Sequence, residues 1–201
     1  MRTQYYTAAS LDGFLATEDD SLDWLFPLAS PSESSYPAFV AEVGALAMGS
    51  ATYEWILRHA DTVAAETGSP WPYAQPTWVF TRRALPTPPG ADAKFVPDVK
   101  FVADVRFVSG AVSPVHAAMR AAAGGKNLWI VGGGDLAGQF LDAGLLDEII
   151  VQVGSVTLGR GKPLFPRRVL HPRLRLASVH PMGPGMVELR YAVDGGSGSP
   201  D

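Results

Sequence analysis

Residues 127–135, Asn-Leu-Trp-Ile-Val-Gly-Gly-Gly-Asp, constrain this chain more than any other stretch. Leu128 to Val131 is a short apolar run of the kind that forms a buried strand. Gly132, Gly133 and Gly134 follow at once, and Asp135-Leu136-Ala137-Gly138-Gln139-Phe140-Leu141 opens a helical pattern. A strand that turns into a helix through residues without side chains lets a ligand come close to the backbone. It also points the helix's free N–H groups at that ligand, which favours an anion such as pyrophosphate. The same turn serves equally well as a tight connection that binds nothing, so the rest of the chain has to arbitrate.

The other segments repeat the alternation of strand and helix. Residues 2–9, 45–48, 77–81 and 147–153 read as strands, rich in apolar, β-branched and aromatic residues. Helices are expected from a cap at Ser30 or Ser32, over 50–59, and over 113–123. Residues 10–23 and 60–76 read as loops and 85–90 as a linker within the domain. Three hexads between Lys94 and Ser109 form a short internal repeat, too few for a solenoid. Residues 174–180 and 186–193 read as a closing antiparallel pair. The pattern predicts one α/β domain over 1–193 around a mixed, largely parallel sheet, and a disordered tail over 194–201.

Composition narrows the function classes. At 201 residues, with 47% apolar and 18% charged residues, the chain suits a single soluble domain. A net charge of −4 gives no electrostatic reason for a nucleic-acid partner. The absence of cysteine excludes disulfides and thiolate metal sites, and His59, His116, His171 and His180 have no metal-ligand spacing, so no metal is expected. The first residues lack a signal-peptide pattern and no apolar run reaches transmembrane length. The expectation is a cytoplasmic protein with no membrane partner.

Three further constellations bear on chemistry. Met48-Gly49-Ser50-Ala51-Thr52 repeats the strand, glycine, helix logic, and Ser50 and Thr52 can cap that helix or donate to a phosphate. Two helix N-termini suit the two ends of one pyrophosphate. Thr81-Arg82-Arg83 follows a strand end, where paired arginines suit a phosphate monoester such as the 2′-phosphate of an NADP-type cofactor. They are also commonplace solvated charge. Ser10-Leu11-Asp12-Gly13-Phe14-Leu15-Ala16 leads into Asp23-Trp24, a carboxylate against an aromatic ring, a setting that raises a pKa for acid work. Asp12 and Asp23 serve equally as turn residues. Leu158-Gly159-Arg160-Gly161-Lys162-Pro163-Leu164-Phe165 is a Gly/basic loop without the spacing of a P-loop.

Taken in order, Ser10–Gly13, Met48–Glu54, Val131–Leu136 and Leu158–Phe165 resemble the dihydrofolate reductase-like superfamily, in the branch of the riboflavin-biosynthesis reductase, the RibD C-terminal domain. The resemblance runs from about Arg2 to Val193. It implies a three-layer α/β/α fold, NADPH as cofactor, and hydride transfer to a small pyrimidine- or pterin-like heterocycle or a sugar imine, similar to 5-amino-6-(5-phosphoribosylamino)uracil reductase. Carried over by position, it places Ala8, Ala9 and Leu15 near the nicotinamide. Gly49, Ser50 and Thr52 meet the pyrophosphate from one helix, and Gly132, Gly133, Gly134, Asp135 and Leu136 from the other. Thr81, Arg82 and Arg83 hold the 2′-phosphate. A cis peptide joins Gly132 to Gly133. Trp24 matches the tryptophan ending the family's mobile loop; Asp23, or a water it orients, is the expected proton source, and Phe14, Trp24, Tyr36 and Phe39 are expected to line the substrate pocket. The branch also implies a twofold homodimer through the closing strands.

Two departures qualify this. Ser50 stands where the family often has arginine, which leaves NADPH selection over NADH to Arg82 and Arg83. No carboxylate stands clearly on the first helix, Glu33 being the nearest candidate, which argues against folate as the substrate. A true dihydrofolate reductase, an NADH- or flavin-dependent reductase, and a non-catalytic nucleotide-binding protein on the same fold are the alternatives.

Overall fold

The computed structural model describes residues 1–28, 34–88, 104–170 and 173–195. The proposed caps Ser30 and Ser32, the carboxylate Glu33, most of the hexad repeat, His171 and residues 196–201 lie outside the described residues. In chain order the elements begin β1 (Thr3–Ser10), β2 (Phe14–Ala16), α1 (Tyr36–Ala41), β3 (Val43–Gly49), α2 (Ser50–Arg58), α3 (Ala60–Thr67), β4 (Thr77–Phe80) and β5 (Val105–Val108). They continue α4 (Val112–Ala122), β6 (Asn127–Gly132), α5 (Gly134–Asp142), β7 (Glu148–Gly154), β8 (Lys162–Pro163), β9 (Leu174–Met182) and β10 (Met186–Val193).

Eight strands form one sheet in the order β5-β4-β3-β6-β1-β7-β10-β9. Every neighbouring pair from β5 to β7 is parallel, and β10 runs antiparallel to both β7 and β9. The sheet is mixed and mostly parallel, as the alternation of elements predicts. Because β1 is central, its residues Thr3 to Tyr6 are buried on both faces. One face packs on α4 and α5 through Met119, Leu136, Phe140 and Ile130. The other packs on α1 and α2 through Phe39, Tyr53, Ile56 and Trp129. Two separate apolar cores on the two faces of one sheet make the three layers.

Three elements differ from the sequence reading. The stretch 60–76 contains α3, because Ala60 to Thr67 holds neither proline nor glycine; Gly68 stops it with a left-handed φ of 79°. The loop 10–23 contains β2, which pairs with β8, a two-residue strand that no local pattern announces. The first helix, α1, is only six residues long and Ser35 precedes it without a side-chain cap bond. No helix among the described residues is long and apolar enough to cross a membrane.

Candidate functional site

The parallel strands deliver their C-terminal ends to one edge of the sheet, the edge where ligands bind in such folds. Gly49 ends β3 and Gly132 ends β6, and these strands are neighbours. The N-termini of α2 and α5 therefore adjoin. A Cβ placed on Gly49 would stand 3.9 Å from the Gly132 carbonyl oxygen and the Gly133 nitrogen. Against this edge opens a cleft of about 480 Å³. It is lined by Thr52, Val131, the three glycines and Asp135, and by Trp55, Ile56, Tyr73, Leu22 and Leu25. Thr7 and Ala8 of β1 lie along it, with Leu15, Ala16, Asp20, Lys162 and Pro163 from the paired strands β2 and β8 and the residues beside them.

The three glycines are not equivalent. The bond between Gly132 and Gly133 is cis, as the resemblance implies. A Cβ on Gly132 would meet Thr52 Oγ1 at 2.8 Å, so this glycine lets α2 approach β6. A Cβ on Gly134 would fall 2.2 Å from the Leu164 carbonyl oxygen, so this one lets the 163–164 segment cross the start of α5. Around Gly133, by contrast, a Cβ meets nothing within 4 Å. No packing partner in the chain demands that absent side chain; it leaves an open cradle at the N-cap of α5.

Of the expected cofactor residues, the cleft takes in Ala8, Leu15, Thr52, Gly132, Gly133, Gly134 and Asp135. Ala9 and Leu136 do not reach it: Ala9 is fully buried, and Leu136 packs in the core beneath α5. Gly49 and Ser50 are not among the lining residues, and Ser50 Oγ accepts a bond from Arg83 at 3.3 Å. Thr81 ties the strand end into a turn, its hydroxyl accepting from the Arg83 N–H at 2.9 Å. Arg83 is held by Glu54 of α2 at 2.7 Å, whereas Arg82 is exposed and has no polar partner among the described residues. The carboxylate of Asp135 accepts from Gln139 and pairs with Arg167 at 3.0 Å, and these partners hold its pKa below the usual value.

The expected catalytic and substrate residues are placed differently. Asp23 is exposed and outside the cleft lining, its N–H bonded to the Ser21 hydroxyl at 3.1 Å. A turn three residues earlier puts Asp20 there instead, at a left-handed φ of 66° and facing Lys162 at 3.4 Å. Trp24 packs on β7, where a Cβ on Gly154 would touch its ring at 2.9 Å. Phe14 pairs with Pro163 in the two-stranded sheet. Phe39 is buried and stacks on Tyr6 at 4.2 Å, and Tyr36 lies edge-on to Trp129 at 5.8 Å. These four aromatics are structural neighbours of the cleft rather than its lining. Sequence reasoning missed Trp55, Ile56 and Tyr73, which do line it. The available signal was Pro72-Tyr73-Ala74-Gln75-Pro76, a tyrosine bracketed by prolines in a stretch read only as loop.

Asp12 resolves the role of the Gly/basic loop. Its carboxylate accepts from Ser10 Oγ and from the N–H groups of Leu158 and Gly159, bonds that lower its pKa. Gly161 passes so close to Ala16 that a Cβ would lie 2.1 Å from the Ala16 carbonyl oxygen. The 158–165 segment clamps the β2 turn and brings Lys162 and Pro163 to the cleft. A buried carboxylate near α1 is Glu188, 2% exposed, bonded by Ser35, Gln152 and Arg190.

Comparison with known proteins agrees with this geometry. The profile of a family described as RibD C-terminal domain matches residues 3–188. The Bacillus subtilis protein YwjB is 31% identical over 191 residues, covering 94% of this chain and 97% of its own. A crystal structure from Shewanella sp. PV-4, described as a riboflavin biosynthesis protein, superposes with a TM-score of 0.75 at 25% identity, over 96% of this chain and 99% of that one. The dihydrofolate reductase of Enterococcus faecalis, in complex with NADP(H), shares the fold at a TM-score of 0.57 and 16% identity, over 96% of both chains.

Proposed function

Since this chain belongs to the RibD C-terminal domain family, we propose that it is an NADPH-dependent reductase of a small heterocyclic or sugar-imine substrate. The observation that carries the reading is the cradle at Gly133: an open space at a helix N-cap, inside a cleft that continues to the end of β1. Backbone N–H groups at the start of α5, with the Thr52 hydroxyl opposite, would hold the pyrophosphate. Arg82 is the available cation for a 2′-phosphate, because Arg83 is engaged by Glu54. When bound, the cofactor supplies the hydride.

The chain's own residues supply position and the proton. Thr7, Ala8 and Leu15 form a surface against which a flat ring lies, and Leu22, Leu25 and Ile56 add apolar walls that exclude water. A proton must reach the atom beside the new C–H bond. Asp20 and Lys162 line the cleft as a pair, and we assign that relay to them in place of Asp23. The exposed edge strand β9, with Leu176 at 52% and Val179 at 54% exposure, would be covered by a second copy in a twofold dimer. Light scattering at micromolar concentration should give twice the chain mass; a monomer rejects the dimer.

The primary test is titration with NADPH followed by nicotinamide fluorescence, then turnover across pterins, pyrimidines and sugar imines. Failure to bind NADPH at millimolar concentration refutes the cofactor assignment. Tight binding with no turnover across the panel favours a non-catalytic nucleotide-binding protein.

A further inference from the structure

The cleft lining includes a tyrosine whose hydroxyl has no partner among the described residues. Tyr73 is 8% exposed and lines the cleft. Trp71 and Trp129 each meet its ring edge-on at 5.5 Å. Its segment is firmly held. Pro72 and Pro76 fix their own φ angles, the Pro76 carbonyl accepts from the Leu46 N–H at 2.9 Å, and Gln75 Nε2 donates to the Val43 carbonyl at 3.4 Å.

Other buried tyrosines are satisfied. Tyr5 donates to the Leu164 carbonyl, Tyr6 bonds Ser35, and Tyr53 donates to the Pro86 carbonyl. The Tyr73 hydroxyl bonds to nothing among the described residues. It is not sealed in either: the enclosed polar atoms left unpaired there are Gln4 Oε1 and the indole nitrogens of Trp24, Trp55 and Trp71. The hydroxyl is thus neither bonded to a described residue nor fully enclosed, on a residue of the cleft lining. A ligand acceptor in the cleft would give this unbonded donor a partner. Burial pushes the phenol far above its ordinary pKa, so it remains an O–H donor at physiological pH.

The surroundings define the occupant. Trp55, Ile56, Leu22 and Leu25 offer apolar walls. The charged side chains lining the cleft are already paired, Lys162 with Asp20 and Asp135 with Arg167. No charged side chain among the described lining residues is left without a partner. We propose that the Tyr73 hydroxyl donates the hydrogen bond that fixes a carbonyl oxygen of an uncharged planar substrate, and so selects that substrate class. This rests on the cleft being the reductase site.

The test uses two flat, neutral probes that differ only in the acceptor, 1-indanone and indane, with wild type and Tyr73→Phe. Phenylalanine keeps the ring packing, so melting temperature and NADPH affinity should be unchanged. Wild type should bind 1-indanone about three- to tenfold more tightly than indane, the range of one neutral hydrogen bond. Tyr73→Phe should bind the two equally. A preference that survives in Tyr73→Phe, or is absent from wild type, overturns the proposal. The parallel NADPH titration keeps the readings separate: probe discrimination without NADPH binding supports Tyr73 and removes the cofactor assignment.

Discussion

Gly133→Ala separates a binding glycine from a packing glycine. At Gly133 φ is −88° and ψ is −179°, extended backbone that alanine adopts freely. The new methyl would meet no atom within 4 Å. Folding should therefore be nearly unaffected, or improved by about 0.4–1 kcal/mol through a less flexible unfolded chain. If a pyrophosphate lies in that cradle, the same methyl blocks it. Losing one charge-assisted bond costs about 1.5–3 kcal/mol, a roughly 10- to 150-fold weaker Kd for NADPH. Gly134→Ala is the control. Its methyl would fall 2.2 Å from the Leu164 carbonyl oxygen and 2.7 Å from that of Pro163, so backbone must move. Overpacking of that kind costs about 1–3 kcal/mol, a fall in Tm of roughly 2–12 °C for a chain of this size. The assay pairs thermal unfolding with cofactor titration by nicotinamide fluorescence. Wild-type NADPH affinity in Gly133→Ala would refute the close-approach argument, and a melting temperature well below wild type would refute the steric one.

The remaining expectations address charge. Arg82→Ala should erase a preference for NADPH over NADH worth about tenfold or more, while Arg83→Ala, already engaged by Glu54 at 2.7 Å, should change it less; equal affinities for both cofactors in wild type would remove the 2′-phosphate assignment. Asp20→Asn should lower kcat with little change in cofactor affinity, and Asp23→Asn should leave turnover at the wild-type rate; the opposite pattern would return the proton role to Asp23. Burial pushes the Glu188 carboxyl up, but bonds from Ser35, Arg190 and Gln152 outweigh it and hold the pKa below the ordinary carboxylate value. A carboxyl depressed in the folded state stabilises fully above its unfolded pKa and loses that contribution as pH falls through the folded one. Melting temperatures below pH 4.5 should thus fall more steeply for wild type than for Glu188→Gln, and parallel curves would show that Glu188 does not contribute.

The alternation of apolar strands with helical patterns was local information, and it determined the layered α/β fold and the mixed sheet. Strand, glycine, helix at Gly49 and at Gly132–Gly134 likewise announced where two helix N-termini meet the strand ends, because a missing side chain is visible in one dimension. What each glycine makes room for was not, since that depends on segments more than twenty residues away: Leu164 at Gly134, and open space at Gly133. The periodic signal also failed for β8, whose two residues form a strand only because β2 lies beside them. The same limit governs the side chains of the cleft. Asp23 beside Trp24 looked like an acid against an aromatic, but adjacency in sequence says nothing of direction, and the left-handed turn at Asp20 points a different carboxylate inward. Tyr73 reached the cleft through tertiary packing alone, carried by a proline-bracketed segment anchored to β3 and wedged between two tryptophans.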